Sequence, residues 1–155
     1  MNEKNTQLFV NRSFQSLFRN ERYFYHKIRD DGGWQPFDAW MVVKGVTIAM
    51  EYKISKLKKG INFSQLFKDR EHQFKALDAY EKAGGHGLVI VHHYEPRKSR
   101  YFIMDHAIAK DYYNTGKQIP WSELEKHEVF TKRDPLKGTI IDFAPYMEQF
   151  GILKD

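Results

Sequence analysis

The stretch FDAWMVVKGVTIAMEYKI, residues 37–54, decides the fold of this chain. It is rich in β-branched and other apolar side chains, a composition that favours β-strands. Lys44-Gly45 stands at its centre and predicts a two-residue turn that joins two antiparallel strands. We therefore expect a β-hairpin at the centre of a sheet.

The ends of this hairpin carry charged residues that the turn would bring together. Asp38 opens the first strand, and Glu51-Tyr52-Lys53 closes the second. With the turn at 44–45, Asp38 and Glu51 become cross-strand neighbours, while Glu51 and Lys53 share one face and Tyr52 lies on the other. Mg²⁺ commonly takes one or two carboxylates together with water and phosphate oxygens, and the backbone carbonyl of Tyr52 offers a further ligand.

Charged groups at strand ends also have a simpler explanation. Two acids and a lysine at a surface commonly form a solvated salt bridge that contributes about 0–1 kcal/mol. Here the apolar run Ile48-Ala49-Met50 leads directly into Glu51, so the acid follows a strand that we expect in the sheet interior. A charge there is costly without a metal or a partner. The context favours a metal site, in which Lys53 would orient or deprotonate an attacking water.

Apolar periodicity and turn residues predict the other elements. They are helices at 7–18 and 63–82, strands at 22–28, 88–94 and 100–104, and short helices near 106–113 and 145–150. This alternation predicts an α/β fold in which helices cover a central mixed sheet. We expect one domain, 1–155.

Gln73 is a polar residue in the second predicted helix. It lies seven residues after Leu66 and four before Leu77, at the edge of the apolar stripe that faces the hairpin. One interpretation is that its amide holds a water or a phosphate beside Glu51. The other is a structural amide that bonds a backbone group at the edge of the core.

Three segments together resemble the PD-(D/E)xK nuclease superfamily: Pro36-Phe37-Asp38, Glu51-Tyr52-Lys53 and His72-Gln73. Within it, a Glu-x-Lys strand followed by a helix with His-Gln is similar to Holliday-junction resolvases of the bacterial RecU type and their phage and archaeal relatives. The resemblance covers about residues 7–105. It implies a restriction-endonuclease-like αβββαβ core there, followed by a helical extension over 106–155.

The resemblance also implies an activity. In these families the residues corresponding to Asp38 and Glu51 bind Mg²⁺, for which Mn²⁺ can substitute, the lysine corresponding to Lys53 assists hydrolysis, and the Gln73 position lies in the site. The implied enzyme is a homodimer that makes paired symmetric nicks in four-way DNA junctions and leaves 5′-phosphates. The alternatives are another nuclease of this superfamily, acting on flaps, ends or invading DNA, and a non-catalytic DNA-binding module on the same fold.

Two features depart from the resolvase pattern. Many members carry a metal-facing glutamate on the first helix, where this chain has Gln7, so either Gln7 is a neutral ligand or Glu3, one turn earlier, takes that role. The bacterial members also insert a long stalk before the first acid, whereas only residues 30–37 stand here. The chain is closer in size to the archaeal and phage enzymes.

Basic residues flank the predicted site. The chain has 155 residues, 25 Lys and Arg against 20 Asp and Glu, and a net charge of +5, which favours a polyanionic partner. The candidate DNA-binding residues are Lys27, Arg29, Lys56, Lys58, Lys59 and His72, and a further basic cluster is formed by Arg97, Lys98 and Arg100. The alternative for each cluster is an ordinary solvated surface.

Several classes of protein are disfavoured. The chain has no cysteine, which excludes disulfides and Cys-ligated zinc. It has no apolar run of the roughly 20 residues that a membrane span needs, and because the stretch MNEKNTQLFV lacks the long apolar region of a secretion signal, we expect no secretion. His92 and His93 point to opposite faces of a strand and cannot easily share a zinc ion. We expect a protein without membrane contact or small-molecule cofactor, in the cytoplasm of a bacterium, an archaeon or a phage-infected host.

Overall fold

The chain alternates between strands and helices in a computed structural model that describes residues 3–19, 23–28 and 35–153. The helices are α1 (Glu3–Leu17), α2 (Phe63–Leu66), α3 (Glu71–Lys82), α4 (His106–Thr115), α5 (Trp121–Leu124) and α6 (Ala144–Met147). The strands are β1 (Tyr23–Lys27), β2 (Ala39–Val43), β3 (Val46–Ser55), β4 (Gly60–Ile61), β5 (His86–His93), β6 (Arg100–Asp105), β7 (Ile119–Pro120), β8 (Glu128–Val129), β9 (Thr131–Asp134) and β10 (Gly138–Ile141). Two short 3₁₀ helices follow α5 and α6, at Glu125–His127 and Glu148–Phe150.

Six strands form the central sheet, in the order β1-β2-β3-β5-β6-β8. β3 and β5 run parallel, and every other neighbouring pair is antiparallel, so the sheet is mixed. The predicted α/β class, with helices that flank a mixed sheet, is confirmed. The element order departs from αβββαβ because β4 and α2 stand between β3 and α3.

The central hairpin has the predicted turn. Ala39 pairs with Met50 and Val43 with Val46, which leaves Lys44 and Gly45 as the two turn residues. Both have positive φ, 49° and 78°, as a type I′ turn requires. Glycine adopts a positive φ without strain. The backbone twist of a type I′ turn matches the twist of the flanking strands.

The sheet separates two apolar cores. On one face, α1 buries residues such as Phe14 against Met50 and Tyr52 of β3. On the other, α3 buries residues such as Phe74 together with Ala49. Because side chains alternate along a strand, Glu51 and Lys53 share the α3 face with Ala49. The hairpin therefore presents its charged residues to α3.

The prediction of one continuous helix over 63–82 is wrong. α2 ends at Leu66, and α3 begins at Glu71. Between them Asp69 has a left-handed φ of 60° and Arg70 lies outside the helical region, which interrupts the helix. Apolar residues on both sides of the break, such as Phe63 and Phe74, are buried. The apolar periodicity of the sequence therefore indicated burial correctly, although the backbone does not form one helix.

The extension predicted as helical over 106–155 also contains strands. β9 and β10 form a hairpin that packs on α1, with Ile140 and Ile141 in the core. The run Thr139-Ile140-Ile141 is β-branched, and Gly138 before it has a φ of 77°, so local chemistry favours a strand after a turn. Among the described residues, no helix is long and apolar enough to cross a membrane.

Candidate active site

Asp38 and Glu51 lie opposite each other where β2 begins. The Asp38 N–H donates to the Met50 carbonyl at 3.0 Å, which extends the β2–β3 pairing by one residue beyond Ala39. Oδ2 of Asp38 accepts a hydrogen bond from the backbone N–H of Tyr52 at 2.8 Å. Both carboxylates are buried, with Asp38 6% and Glu51 2% exposed. The predicted pair of acids is therefore together and shielded from solvent.

Lys53 and Gln73 complete this group, and both converge on one oxygen of Glu51. Lys53 Nζ lies 3.4 Å from Glu51 Oε1, and Gln73 Nε2 donates to the same oxygen at 2.7 Å. Gln73 comes from the first turns of α3, which cross the α3 face of the sheet at this point. The amide bonds a side chain rather than a backbone group, which favours the first of the two sequence interpretations.

The ring of Phe67 holds the Lys53 ammonium from a second side. Nζ lies 4.8 Å from the ring centroid, a cation–π contact that commonly contributes about 0.5–2 kcal/mol. Lys53 is only 7% exposed, so its position is determined by Glu51 and Phe67. Phe67 is not distinguished in the sequence beyond its place in the apolar period.

Gln35 is a site residue that the sequence reasoning missed. Its Nε2 donates to Oδ1 of Asp38 at 3.0 Å, so that both oxygens of this carboxylate are held. The available signal was an amide three residues before the acid, followed by Pro36, which keeps the preceding backbone extended. His72 bonds the Gln35 backbone, and its pKa is lowered, chiefly by burial, so the imidazole is neutral near pH 7.

The residues present fit a hard divalent cation. Asp38, Glu51 and Lys53 together carry a net negative charge in a buried setting, which a divalent ion would compensate. The Oε1 atoms of Gln35 and Gln73 are buried and accept no hydrogen bond from any described residue. Carboxylate and amide oxygens are the ligands that Mg²⁺ and Mn²⁺ prefer.

The side chain and the backbone of Tyr52 have different partners. Its hydroxyl lies 2.9 Å from the Tyr25 hydroxyl on the α1 face, and burial raises the pKa of Tyr52 well above its ordinary value. Its backbone N–H points to Asp38. Because the N–H and C=O of one residue in a strand point to the same side, the Tyr52 carbonyl also faces the side of Asp38. The phenol is part of the apolar core on the α1 face, and the backbone faces the candidate site.

Gln7 lies on α1, which packs on the opposite face of the sheet from Lys53 and Gln73. It is 8% exposed, and among the described residues its buried Oε1 accepts no hydrogen bond. Its role as a metal ligand stays a prediction. The side chain of Glu3, the alternative, lies outside the described residues.

The predicted DNA-binding residues do not form one cluster. Lys56, Lys58 and Lys59 are exposed in the loop after β3, Lys27 is exposed on β1, and Arg29 lies outside the described residues. Arg100, in the other basic cluster, is paired with Glu128 at 2.6 Å and lies 4.5 Å from the centroid of the Trp121 ring. Arg100 is thus committed to contacts inside the protein.

A second group of candidate metal ligands lies near the far end of α3. Ligand atoms of Glu81, Asp105 and His106 fall within 4.8 Å of one another. His106 Nδ1 also lies 3.2 Å from the Gly87 carbonyl, so this imidazole has protein partners. Gln73 and Glu81 are eight positions apart in the helix, about 12 Å, so this group is separate from the predicted site.

No protein-family model matches this sequence, and no curated protein matches it. Among solved structures, the chain is similar to Hjc from Archaeoglobus fulgidus, a Holliday junction resolvase from an archaeal hyperthermophile. The similarity covers 81% of this chain and 98% of that chain, at 16% sequence identity and a TM-score of 0.38. What the site can do therefore has to be inferred from its own side chains.

Proposed function

We propose that this protein is a metal-dependent, structure-specific DNA endonuclease, and specifically a Holliday-junction resolvase. The observation that carries the proposal is the convergence of Asp38, Glu51, Lys53 and Gln73 in one buried corner of the sheet. Two carboxylates can hold a divalent ion that activates water for phosphodiester hydrolysis, and an ammonium and an amide beside them can orient that water. The sequence resemblance to PD-(D/E)xK resolvases rests on these same residues.

Asp38, Glu51 and the Tyr52 carbonyl would hold Mg²⁺, or Mn²⁺ in its place. When bound, such an ion supplies Lewis-acid activation of water and neutralises charge on the phosphate. The protein's own part is to fix the ligands beforehand. Gln35 and the Tyr52 N–H hold the two oxygens of Asp38, while Gln73 and Lys53 hold Glu51. Such supporting contacts orient the ligands and commonly matter 10–100-fold for metal affinity or activity.

Lys53 is the group that would act on the attacking water. Its ammonium sits between Glu51 and the Phe67 ring, where it can orient the water and offset negative charge in the transition state. Gln73 has its Nε2 committed to Glu51 and its Oε1 available to accept from that water. In-line attack of that water on phosphorus would break the P–O3′ bond, leaving a 5′-phosphate on one strand end and a 3′-hydroxyl on the other.

The remaining features of the proposal concern DNA and assembly. The exposed lysines at 56, 58 and 59 follow directly from the strand that carries Lys53, and they would contact phosphates without reading sequence. A four-way junction has two symmetric strands to cut, so we propose a C2 homodimer. We also propose that the chain acts as a single domain in the cytoplasm of a bacterium, an archaeon or a phage-infected host.

The test compares three DNA substrates under one set of conditions, with and without Mg²⁺. We expect four-way junctions to be cut by paired symmetric nicks, much faster than flaps or linear duplex, and only with the metal. Equal rates on linear duplex would contradict the resolvase assignment in favour of a general nuclease. Metal-independent binding with no cleavage of any substrate would instead indicate a non-catalytic DNA-binding module.

A further inference from the structure

A cavity lies where β3 and β5 leave the sheet, just beyond the candidate active site. Its volume is about 270 Å³, and it is lined by Lys56, Lys58, His93, Tyr94, Glu95 and Pro96. The Tyr94 N–H donates to the Ser55 carbonyl at 2.8 Å, which extends the parallel pairing of β3 and β5 by one residue to Tyr94, a lining residue of the cavity. One water occupies roughly 30 Å³ in the liquid, so the space can hold a phosphate group together with several waters.

His93 supplies a buried polar atom to this cavity. The side chain is 2% exposed, and its Nε2 lies 2.5 Å from the Leu57 carbonyl. Since a carbonyl can only accept, Nε2 carries the hydrogen of this bond. Nδ1 is buried and has no hydrogen-bond partner in the described part of the chain. A buried nitrogen of this kind is costly unless something in the cavity bonds it.

The cavity also carries positive charge in a defined arrangement. Lys56 Nζ lies 5.8 Å from the centroid of the Tyr94 ring, which limits where this ammonium can go. Lys58 is the second cation, and Glu95 is the one carboxylate among the lining residues, so the cavity has a net positive charge. Two ammonium groups suit an oxyanion rather than a metal ion.

We infer that this cavity binds a phosphate of the substrate strand, one or two nucleotides from the phosphate that is cut. Lys53 and Lys56 are three residues apart at the end of β3, about 10 Å along the chain, so one strand can occupy both places. Lys56 and Lys58 would pair with the phosphate oxygens. Nδ1 of His93, which carries no hydrogen when Nε2 donates to Leu57, would accept a hydrogen bond from a water that also donates to a phosphate oxygen. This inference rests on the proposed action on DNA and adds a phosphate subsite to it.

The experiment neutralises single phosphates in the DNA. Each phosphate within a few nucleotides of the branch is replaced in turn by a methylphosphonate, and binding is measured by fluorescence anisotropy without divalent metal. For the unmodified protein we expect one position, beside the cut, to weaken binding about tenfold, the size of a lost charge-assisted hydrogen bond. In the double variant Lys56→Gln/Lys58→Gln, the same replacement should change binding less than about twofold, because the partner cations are already gone.

Lys110→Gln is the control, because Lys110 is exposed on α4, does not line the cavity and is not among the residues proposed to contact DNA. It should keep the position-specific loss. His93→Gln, which can retain a donor to Leu57 but lacks Nδ1, should reduce that loss, and thermal unfolding checks that it still folds. A flat profile across all phosphates, or an equal loss in the double variant, overturns the subsite even if junctions are cut. A position-specific, lysine-dependent loss without any cleavage supports the subsite and overturns the nuclease assignment.

Discussion

The backbone N–H of Tyr52 donates to Oδ2 of Asp38 at 2.8 Å, so β3 itself holds the carboxylate that faces it. The two residues that flank Tyr52 are Glu51 and Lys53, which form the other half of the site. One strand therefore fixes both halves through its backbone, with no long loop between them. Such preorganisation limits the reorganisation that the reaction would require.

Asp38→Asn separates charge from geometry. An asparagine oxygen can still accept the Tyr52 N–H, so we expect the fold and DNA binding to persist. Cleavage should fall by about 10³-fold or more, since the metal would lose a charged ligand that is worth several kcal/mol. Single-turnover cleavage of a junction measures this. Asp111→Asn, at an exposed position on α4, is the control and should cleave like the unmodified protein.

Lys53→Gln tests the proposed role on water. Removal of the ammonium should lower the cleavage rate by about 10²–10⁴-fold while junction affinity stays within a few-fold. Lys75→Gln changes an exposed lysine of α3 and should leave the rate unchanged. A Lys53→Gln enzyme that cuts at the normal rate would show that Lys53 only balances the charge of Glu51.

Divalent metal should stabilise the folded protein. Since the site exists only in the folded chain, Mg²⁺ at 100 times its dissociation constant should add about 2.7 kcal/mol to the free energy of unfolding. Denaturant unfolding with and without Mg²⁺ measures the increase, with NaCl at equal ionic strength as the control. Asp38→Asn should lose most of the increase. An equal increase in both proteins would place the bound metal elsewhere, for example at Glu81, Asp105 and His106.

His92 should make stability sensitive to acid. Burial lowers its pKa to about 4, and its Nδ1 lies 2.9 Å from the Thr6 hydroxyl. The unfolded chain binds a proton at this residue near pH 6.5, whereas the folded chain does so only near pH 4, so stability is lost as pH falls through that interval. His92→Asn cannot titrate, and its urea midpoint should change less between about pH 7 and about pH 4.5. Parallel pH dependence in both proteins would assign the effect to other groups.

The hairpin was predictable because its information is local. The two-residue turn and the period-two alternation determine the register, so the approach of Asp38 and Glu51 follows from residues 38–51 alone. The break between α2 and α3 was not predictable from the apolar period, which continues through it. It depends on the left-handed backbone of Asp69.

The residues that support the candidate site were less predictable from the sequence. Gln35 reaches Asp38 from outside the hairpin, and Phe67 meets Lys53 only because the break in the helix positions it. Such contacts depend on the tertiary arrangement and leave little trace in sequence spacing. The C-terminal hairpin was missed for a related reason, since β10 buries Ile141 against α1, more than 110 positions earlier in the chain.

The close approach of Gly60 to β7 has a consequence for the evolution of this protein. A Cβ there would stand 2.0 Å from the Ile119 carbonyl oxygen, because β4 and β7 pair side by side as antiparallel strands at this point. The loop that carries Lys56, Lys58 and Lys59 is thereby attached, through the pairing of β4 with β7, to the C-terminal third of the chain. A recombination event that transferred the β2–β3 hairpin and the loop after it without that third would remove this pairing, so the two parts are expected to be inherited together.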